Sequence, residues 1–511
     1  MEKRAKKLKI DLEKCRRRSI SSEQVACEQI LRYKLEKVQE KIYTYWRQRA
    51  HVRWLEKGDR NTSFFHAVCS ERKRSNRIGR SRKDDGSWVE EEVEKRSFIT
   101  NYFMSLFRTN GLYDSHELTD VVQRKITEEM NNSLIKEFTP EEVKAAVDSI
   151  GDLKAPGPDG MPTVFYKQFW DVIGEKVTKE VLDVLNGGLI PEGWNETTIV
   201  LIPKVKNPDK LKDLRPISLC NVIYKIVSKA LANRLKQILL EMISPTQSAF
   251  VPGRLISNNI LIAYELTHYM KQKKKGKEGY AAVKLDMSKA YDRVEWHFLA
   301  QMMEKLEFHQ RWINVVMKCV SSVSYKIRVN GELTETFKPE RGQRQGDPLS
   351  PYLFLLCAEG FSALLQRAEE IRMMRGVKVC PRAPSVSHLL FADDSLILFR
   401  ANRGDAQQLQ SILRLYEECS GQLINKDKSA AMIRKQEVMQ ELRITKETMN
   451  ERYLGLPVHV GRSRSLVFAY LKDRIWKRIQ GWKEKLLSRA GKEVLIKAVA
   501  QAIPTFCHGV L

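Results

Sequence analysis

Val386-Ser-His-Leu-Leu-Phe-Ala-Asp-Asp-Ser-Leu-Ile-Leu-Phe399 decides how this chain is read. An apolar run meets two adjacent acids, Asp393 and Asp394, and resumes as Leu396 to Phe399. Two strand-length apolar stretches around such a break predict a β-hairpin whose turn carries both carboxylates. A second apolar stretch, Ala281 to Leu285, also ends on an acid, Asp286, and a helix is expected from near Val294. Carboxylates in such settings are costly unless paired or metal-bound, and neighbouring Asp side chains repel. An Asp-Asp pair alone is also an ordinary solvated turn, because Asp is a common turn residue.

A pair of divalent cations removes both the burial cost and the repulsion. Mg²⁺ prefers hard oxygen ligands in an octahedron completed by water and phosphate. Two such ions can activate a hydroxyl and stabilise a leaving phosphate oxygen. In that scheme Asp286 and Asp393 are the bridging ligands and Asp394 is more peripheral.

Outward from this centre the pattern is mixed. Residues 1–70 predict mostly helix, with Leu31, Leu35, Val38, Ile42, Tyr45 and Trp46 at three- and four-residue spacing. Turn residues predict a short hairpin around 84–87. Helices are expected at 93–107 and 137–149, the second capped by Thr139 with Pro140 just inside. Lys154-Ala-Pro-Gly-Pro-Asp-Gly160 is too rich in turn residues for helix or strand. A helix near 164–186, a strand Thr198 to Ile202, and helices at 222–243 and 256–273 follow. Ile226, Leu231, Leu235, Ile238 and Leu239 are the expected core positions of the helix at 222–243. Lys271 to Gly279 reads as a charged loop.

Composition sets the class. The 511 residues are 42% hydrophobic and 30% charged, which suits a globular chain with a large core. The net charge of +25 invites a polyanionic partner. Residues 1–83 hold 25 Lys/Arg against 10 Asp/Glu, and residues 465–511 hold 9 against 3, so the surplus lies in two flanks. The bland alternative is two solvated helical faces. The nine cysteines and nine histidines show no zinc spacing and no HExxH pattern. Neither a secretory leader nor a run of about twenty apolar residues is visible, so no membrane partner and an intracellular, reducing location are expected.

The ordered motifs carry a resemblance. Phe391-Ala-Asp-Asp394 and Lys284-Leu-Asp-Met-Ser-Lys-Ala-Tyr-Asp-Arg-Val294 supply the acids. Arg341-Gly-Gln-Arg-Gln-Gly-Asp-Pro-Leu-Ser-Pro351 lies between them. Lys154 to Gly160, Leu201-Ile-Pro-Lys204 and Arg215-Pro-Ile-Ser-Leu219 precede them. Gly421-Gln-Leu-Ile-Asn-Lys-Asp-Lys-Ser429 and Tyr453-Leu-Gly-Leu-Pro457 follow. In this order the set resembles the reverse transcriptase of non-LTR retrotransposons, the LINE-type elements abundant in plant genomes. The resemblance runs from about residue 40 to the C-terminus.

It implies an α+β right-hand polymerase with fingers, palm and thumb, an antiparallel palm sheet and a basic helical N-terminal extension. The extension is expected at 1–135, fingers and palm at 136–455, and a partial helical thumb at 456–511. The implied activity is RNA-directed DNA polymerisation with two Mg²⁺ ions, or Mn²⁺ in their place. RNA template, DNA primer and dNTPs are the implied partners, with the element's own RNA and target-site DNA beyond them. By this resemblance Asp286, Asp393 and Asp394 hold the metals. Tyr291 lies under the incoming sugar and rejects a 2′-hydroxyl, the group that distinguishes RNA from DNA. Lys204 and Arg215 contact the triphosphate. Gln345 and Gly346 lie beside the nascent base pair, where Gly permits close approach of the backbone to the ligand. Lys428 supplies positive charge or a proton near the leaving pyrophosphate.

Tyr453-Leu-Gly455 resembles the primer-grip turn. Residues 470–500 read as thumb helices, with Trp476, Trp482, Leu486, Leu487 and Ile496 inside. Lys472, Lys477, Arg478, Lys483, Lys485 and Arg489 then face the duplex backbone. Asp292 is expected to cap the following helix or pair with a basic group, not to bind metal.

Local alternatives remain at single positions. Tyr291 is also readable as a half-buried aromatic at a strand–helix junction, and Lys204 and Arg215 as surface charge. The chain starts at a basic helix and stops after an apolar patch, which reads as a fragment of a longer element, so neither strand nicking nor RNA degradation is expected of it. A nuclear and a cytoplasmic site are both compatible with it. Rival classes are a group II intron-like reverse transcriptase, a viral RNA-dependent RNA polymerase, in which Gly usually stands where Ala392 does, and a non-catalytic nucleic-acid-binding relic.

Overall fold

The computed structural model describes residues 1–17, 21–50, 62–111, 113–273, 279–432, 436–447 and 452–457, with 469, 471–477, 492–494, 496–497 and 501–502 beyond them. The chain divides into two compact units. One comprises Met1–Arg77, Ser463–Gly509 and Leu511; the other comprises Ile78–Arg462 and Val510.

The first unit carries helices Glu2–Arg16, Ser22–Ala50 and Thr62–Ser75. Leu35 and Val38 recur one turn apart and are buried with Ala5 and Leu12, while Leu31 and Ile42 pack alongside. Tyr43 and Trp46 extend the same long helix into a second cluster with Ala50, Phe64, Phe65 and Val68. The predicted periodicity is thus the buried seam, and the basic residues are left on the outer faces.

The second unit is built on two four-stranded sheets, giving an α+β fold. Its strands in chain order are β1 (Ser81–Arg82), β2 (Trp88–Val89), β3 (Glu196–Pro203), β4 (Leu214–Cys220), β5 (Tyr280–Leu285), β6 (Ser324–Val329), β7 (Glu332–Leu333), β8 (His388–Phe391), β9 (Asp394–Arg400), β10 (Ala430–Met432), β11 (Arg452–Tyr453) and β12 (Leu456–Pro457). One sheet runs β10-β5-β9-β8 and is antiparallel throughout. The other runs β4-β3-β6-β7, with β3 and β6 parallel. The expected hairpin at 84–87 is the β1–β2 pair, in register Arg82↔Trp88.

The antiparallel sheet is buried on both faces, which is why its strands read as unbroken apolar runs. Ala281, Val283, Leu285, Ile397 and Phe399 enter the main core. Ala282, Leu389, Leu396 and Leu398 point the other way, to Leu266, Met432 and Tyr453. Helices Val222–Met242, Trp296–Lys305, Ser350–Glu370 and Arg403–Ser420 fill the main core, and all five predicted positions of the first of these are buried. The second sheet packs Ile199, Leu201, Tyr325 and Ile327 against Ile99, Phe103 and Phe107.

Helix 140–149 carries the predicted cap as a full capping box between Thr139 and Glu142. The single helix expected near 164–186 is two, Thr163–Gln168 and Trp170–Leu185, divided at Phe169. Trp170 opens the second helix by folding over Gly174, where a Cβ would stand 2.8 Å from the indole ring. The expected start of helix near Val294 is also divided, into Ala290–Arg293 and Trp296–Lys305. The helix from Ile256 ends at Gln272, and residues 274–278 of the expected charged loop lie outside the described residues.

Candidate functional site

The acids meet at one end of the antiparallel sheet. β8 and β9 close with Phe391 opposite Asp394, leaving Ala392 and Asp393 as the two turn residues. Ala392 takes the left-handed conformation, φ 55°, a position that favours Gly. β5 pairs with β9 as far as Leu285↔Ser395, so Asp286 leaves the sheet one residue later on the strand beside Asp394. Adjacent strands are about 4.8 Å apart, which sets the scale of the cluster. Asp286 is fastened by its backbone: its N–H donates to Ser429 Oγ at 3.2 Å, and its carbonyl accepts from Asn425 N at 2.8 Å. Ser429 Oγ in turn donates to the Asn425 carbonyl.

Burial pushes the Asp393 carboxyl above its ordinary range, and the charge of Asp286 adds to this while Arg215 and Lys204 oppose it. Burial likewise raises Asp394, with Lys284 opposing and both other acids adding. Among the described residues none of the three has an ion-pair partner within 4.0 Å. Nor does any group of three or more His, Cys, Asp and Glu already converge on a cation position among them. The donor set still fits a hard divalent cation in its chemistry: it is all carboxylate and partly desolvated.

Opposite charge comes from the β3–β4 hairpin. Lys204 follows β3, its N–H donating to the Asp213 carbonyl at 2.8 Å, and Arg215 pairs with Ile202. Partial withdrawal from solvent lowers the Lys204 ammonium, and Lys428 and Arg215 lower it further, while Asp292 and Asp286 pull it up. The structure therefore brings Lys204 and Arg215 into the field of the acids, with Lys428 close enough to act on Lys204. Lys428 is held through its backbone N–H on Asn425, 3.2 Å from the carbonyl and 3.3 Å from Oδ1. Lys204 and Arg215 come from one hairpin and both act on Asp393, more than 170 residues away in sequence.

Tyr291 stacks on Phe354 with ring centroids 4.7 Å apart and 15° between planes. Burial raises its hydroxyl, and Asp393 raises it further, which puts the phenol within reach of the acid's field. The Gln345 carbonyl accepts from Ser218 N at 2.9 Å, and a Cβ on Gly346 would stand 2.8 Å from the Ser218 carbonyl. Gly346 (φ 123°) thus makes a close approach to strand β4. Asp292 is corrected too. It is buried, and among the described residues it makes neither a cap bond to the next helix nor an ion pair within 4.0 Å. Burial raises its carboxyl, and Lys289 and Lys204 oppose that at longer range.

Several participants carry no local signal in sequence. Lys289 Nζ donates to the Leu214 carbonyl, just before Arg215, and so ties the β3–β4 hairpin to the segment after Asp286. Gln247 Oε1 accepts from Ala392 N at 3.0 Å, from a loop 145 residues upstream. Much of the motif at 341–351 is internal. Arg341 pairs with Glu295 at 2.9 Å and Arg344 with Asp347 at 2.8 Å, all buried.

Tyr453-Leu-Gly455 forms the β11–β12 hairpin, with Leu454 and Gly455 at positive φ. Tyr453 OH donates to the Leu389 carbonyl at 3.3 Å, and Lys284 Nζ donates to the Arg452 carbonyl at 2.9 Å, so the hairpin lies alongside the acid-bearing strands. The expected burial of Trp476 and Ile496 is not observed: they are 57% and 47% exposed. A helical stripe is buried only where a second apolar surface packs on it, and the described residues provide none there. Lys472 and Lys477 are exposed on the helical stretch 471–477. Trp482, Leu486, Leu487, Arg478, Lys483, Lys485 and Arg489 lie outside the described residues.

Known proteins share this arrangement of sequence. The family model described as reverse transcriptase (RNA-dependent DNA polymerase) matches residues 202–458, half of the chain. The chain is similar to an uncharacterized 149 kDa protein of transposon TX1 from Xenopus laevis, 28% identical over 452 residues, 86% of this chain and 34% of that protein. A Pol polyprotein from the R2 retrotransposable element of Nasonia vitripennis is 28% identical over 259 residues, 50% of this chain and 24% of that protein. An uncharacterized mitochondrial protein of Arabidopsis thaliana is 51% identical over 67 residues, 13% of this chain and 55% of that protein. The chain thus spans about a third or less of the two transposon proteins. The acid-tipped strands, the basic hairpin end and Tyr291 all fall inside the matched segment, and the chain belongs to the reverse transcriptase (RNA-dependent DNA polymerase) family.

Proposed function

We propose that this chain is the RNA-directed DNA polymerase of a non-LTR retrotransposon of the LINE type, adding dNTPs to a primer 3′-hydroxyl on an RNA template. The observation that supports this is the placement of Asp286, Asp393 and Asp394 within the field of Lys204 and Arg215, with Tyr291 beside Asp393. On this reading residues 136–455 are fingers and palm, 456–511 a partial thumb and 1–135 a basic extension.

Two divalent cations, Mg²⁺ or Mn²⁺, would be held by Asp286, Asp393 and Asp394, and when bound they supply Lewis-acid stabilisation of the attacking and leaving oxygens. The protein's own groups do the rest. Lys204 and Arg215 bind the triphosphate, with Arg able to do so bidentately. The Tyr291 ring, immobilised on Phe354, excludes a ribose 2′-hydroxyl. Gln345 and Gly346 border the templating pair, and Lys428 offers charge or a proton to the departing pyrophosphate. The Tyr453–Gly455 turn seats the primer end. Basic side chains on the outer helical faces suit sequence-independent contact with RNA template and DNA primer, including the element's own RNA and its target DNA. No helix among the described residues is long and apolar enough to cross a membrane. We place the activity inside the cell, in nucleus or cytoplasm.

Primer extension on matched RNA and DNA templates, with dNTPs and with rNTPs, tests the reading. Extension on RNA with dNTPs and Mg²⁺ is expected. Equal use of rNTPs would point to an RNA polymerase instead, and salt-sensitive RNA binding without incorporation would identify a non-catalytic relic.

A further inference from the structure

We infer that Gln247 is a positioning residue for the acid turn, holding Ala392 so that Asp393 and Asp394 present their carboxylates from a fixed backbone. This rests on the reading of those acids as the metal-binding groups.

The turn needs such support. Ala392 is the first of two residues between the paired ends of β8 and β9, so its N–H lies outside the strand ladder. Its left-handed backbone is one that an L-residue with a Cβ adopts reluctantly. The two acids that follow repel one another and Asp286. A turn under both pressures relaxes unless something grips it.

Gln247 supplies the grip. It is 1% exposed, and its Oε1 accepts from Ala392 N and from Ala249 N, each at 3.0 Å. Its own segment is locked to β8. Leu390 N donates to the Thr246 carbonyl at 2.8 Å, and Ser248 N donates back to the Leu390 carbonyl at 3.1 Å. Ser248 Oγ donates to Asn259 Oδ1, and Asn259 Nδ2 donates to the same Leu390 carbonyl. The Arg254 guanidinium gathers the Ser244 and Gln247 carbonyls, each at 2.6 Å. The amide oxygen of Gln247 therefore reaches the turn from a rigid base.

Only half of the Gln247 amide is engaged. Among the described residues Nε2 has no hydrogen-bond partner, so Gln247→Glu in its protonated form gives up no bond and retains the accepting oxygen. Gln247→Leu keeps the bulk and removes the acceptor. The two variants separate acceptance of the Ala392 N–H from mere filling of space.

The test combines hydrogen exchange with primer extension on the full chain. In Gln247→Leu the peptide spanning 388–396 is expected to exchange about tenfold faster, while a peptide from 353–364 keeps its wild-type protection. The Mg²⁺ concentration for half-maximal extension rises about tenfold in the same variant, with the dNTP KM within about twofold of wild type. Gln247→Glu stays within about threefold of wild type in exchange at the turn. Unchanged exchange at 388–396 in Gln247→Leu overturns the proposal, as does an equal loss of protection in both peptides. If Gln247→Leu does not fold, Gln247→Ala replaces it, and failure of both to fold overturns the proposal in favour of a core role. A wild-type chain that extends no primer but shows the local exchange pattern sinks the polymerase reading and leaves the role of Gln247 standing.

Discussion

At the ends of β5 and β9 three carboxylates stand together with no ion pair among the described residues, whereas in the loop after β7 every buried charge is matched. Arg344 is paired with Asp347, donates to the Cys319 carbonyl at 3.1 Å and lies 4.1 Å over the Tyr224 ring. Asp347 also accepts from Tyr224 OH and from Leu349 N, both at 3.1 Å. Both regions are dense motifs of charged residues in the same unit, and sequence alone ranks them alike. Their physics differs. Charge that is fully answered inside the protein fixes the architecture around it. Charge that is partly desolvated and left unanswered is available to a ligand, and it costs stability until the ligand arrives.

The largest expected effect separates the two regions directly. Asp393→Asn should lower the primer-extension rate by about 10⁴-fold or more. The melting temperature of the same variant should hold or rise, since a carboxylate raised by burial and by Asp286 is removed. An Asn variant that extends primers at the wild-type rate would end the proposed metal site. Arg344→Met should do the reverse. Leaving Asp347 buried without its partner should cost about 3–5 kcal/mol in denaturant titration, with activity per folded molecule much less affected. The double variant Arg344→Met with Asp347→Leu should recover part of that loss.

His388 extends the same contrast to pH. It lies buried on β8, its Nε2 within 2.9 Å of Thr246 Oγ1 and 2.8 Å of Ser362 Oγ, and burial lowers it to about 4 from 6.5. The folded chain keeps the ring neutral where the unfolded chain protonates it. The stability this contributes is complete above about pH 6.5 and is lost as the pH falls towards 4, up to about 3 kcal/mol. A His388→Phe variant should flatten that slope between pH 7 and 5, and an unaltered slope would remove His388 as its source. The smallest effect belongs to the turn. Ala392→Gly should relieve the left-handed backbone and raise stability by about 1 kcal/mol at most. A destabilised glycine variant would mean that the Ala392 methyl contributes packing that outweighs the strain.

Much of the site was legible before any fold was known. The acids at the strand ends, the hairpin turn, the buried positions of helix 222–242 and the Thr139 cap all follow from short-range pattern, because a strand, a turn or a cap is specified by a few consecutive residues. The division at Phe169 was not, since neither Gly nor Pro marks it in the sequence. Nor was the contact at Gly346, since the sequence does not show that Ser218 of the neighbouring strand stands against it.

The sequence by itself determined the chemistry on offer: three carboxylates, a tyrosine placed just after the first, a few cations and a basic surplus at both flanks. Only the tertiary structure decided which charges stay unanswered. Lys204 and Arg215 come within the field of the acids from a remote hairpin without forming an ion pair, Arg344 and Asp347 turn inward to each other, and Gln247 reaches across 145 residues to the turn. Side-chain type is local information, but compensation of charge is a property of distance, and distance between remote residues exists only once the sheets have formed.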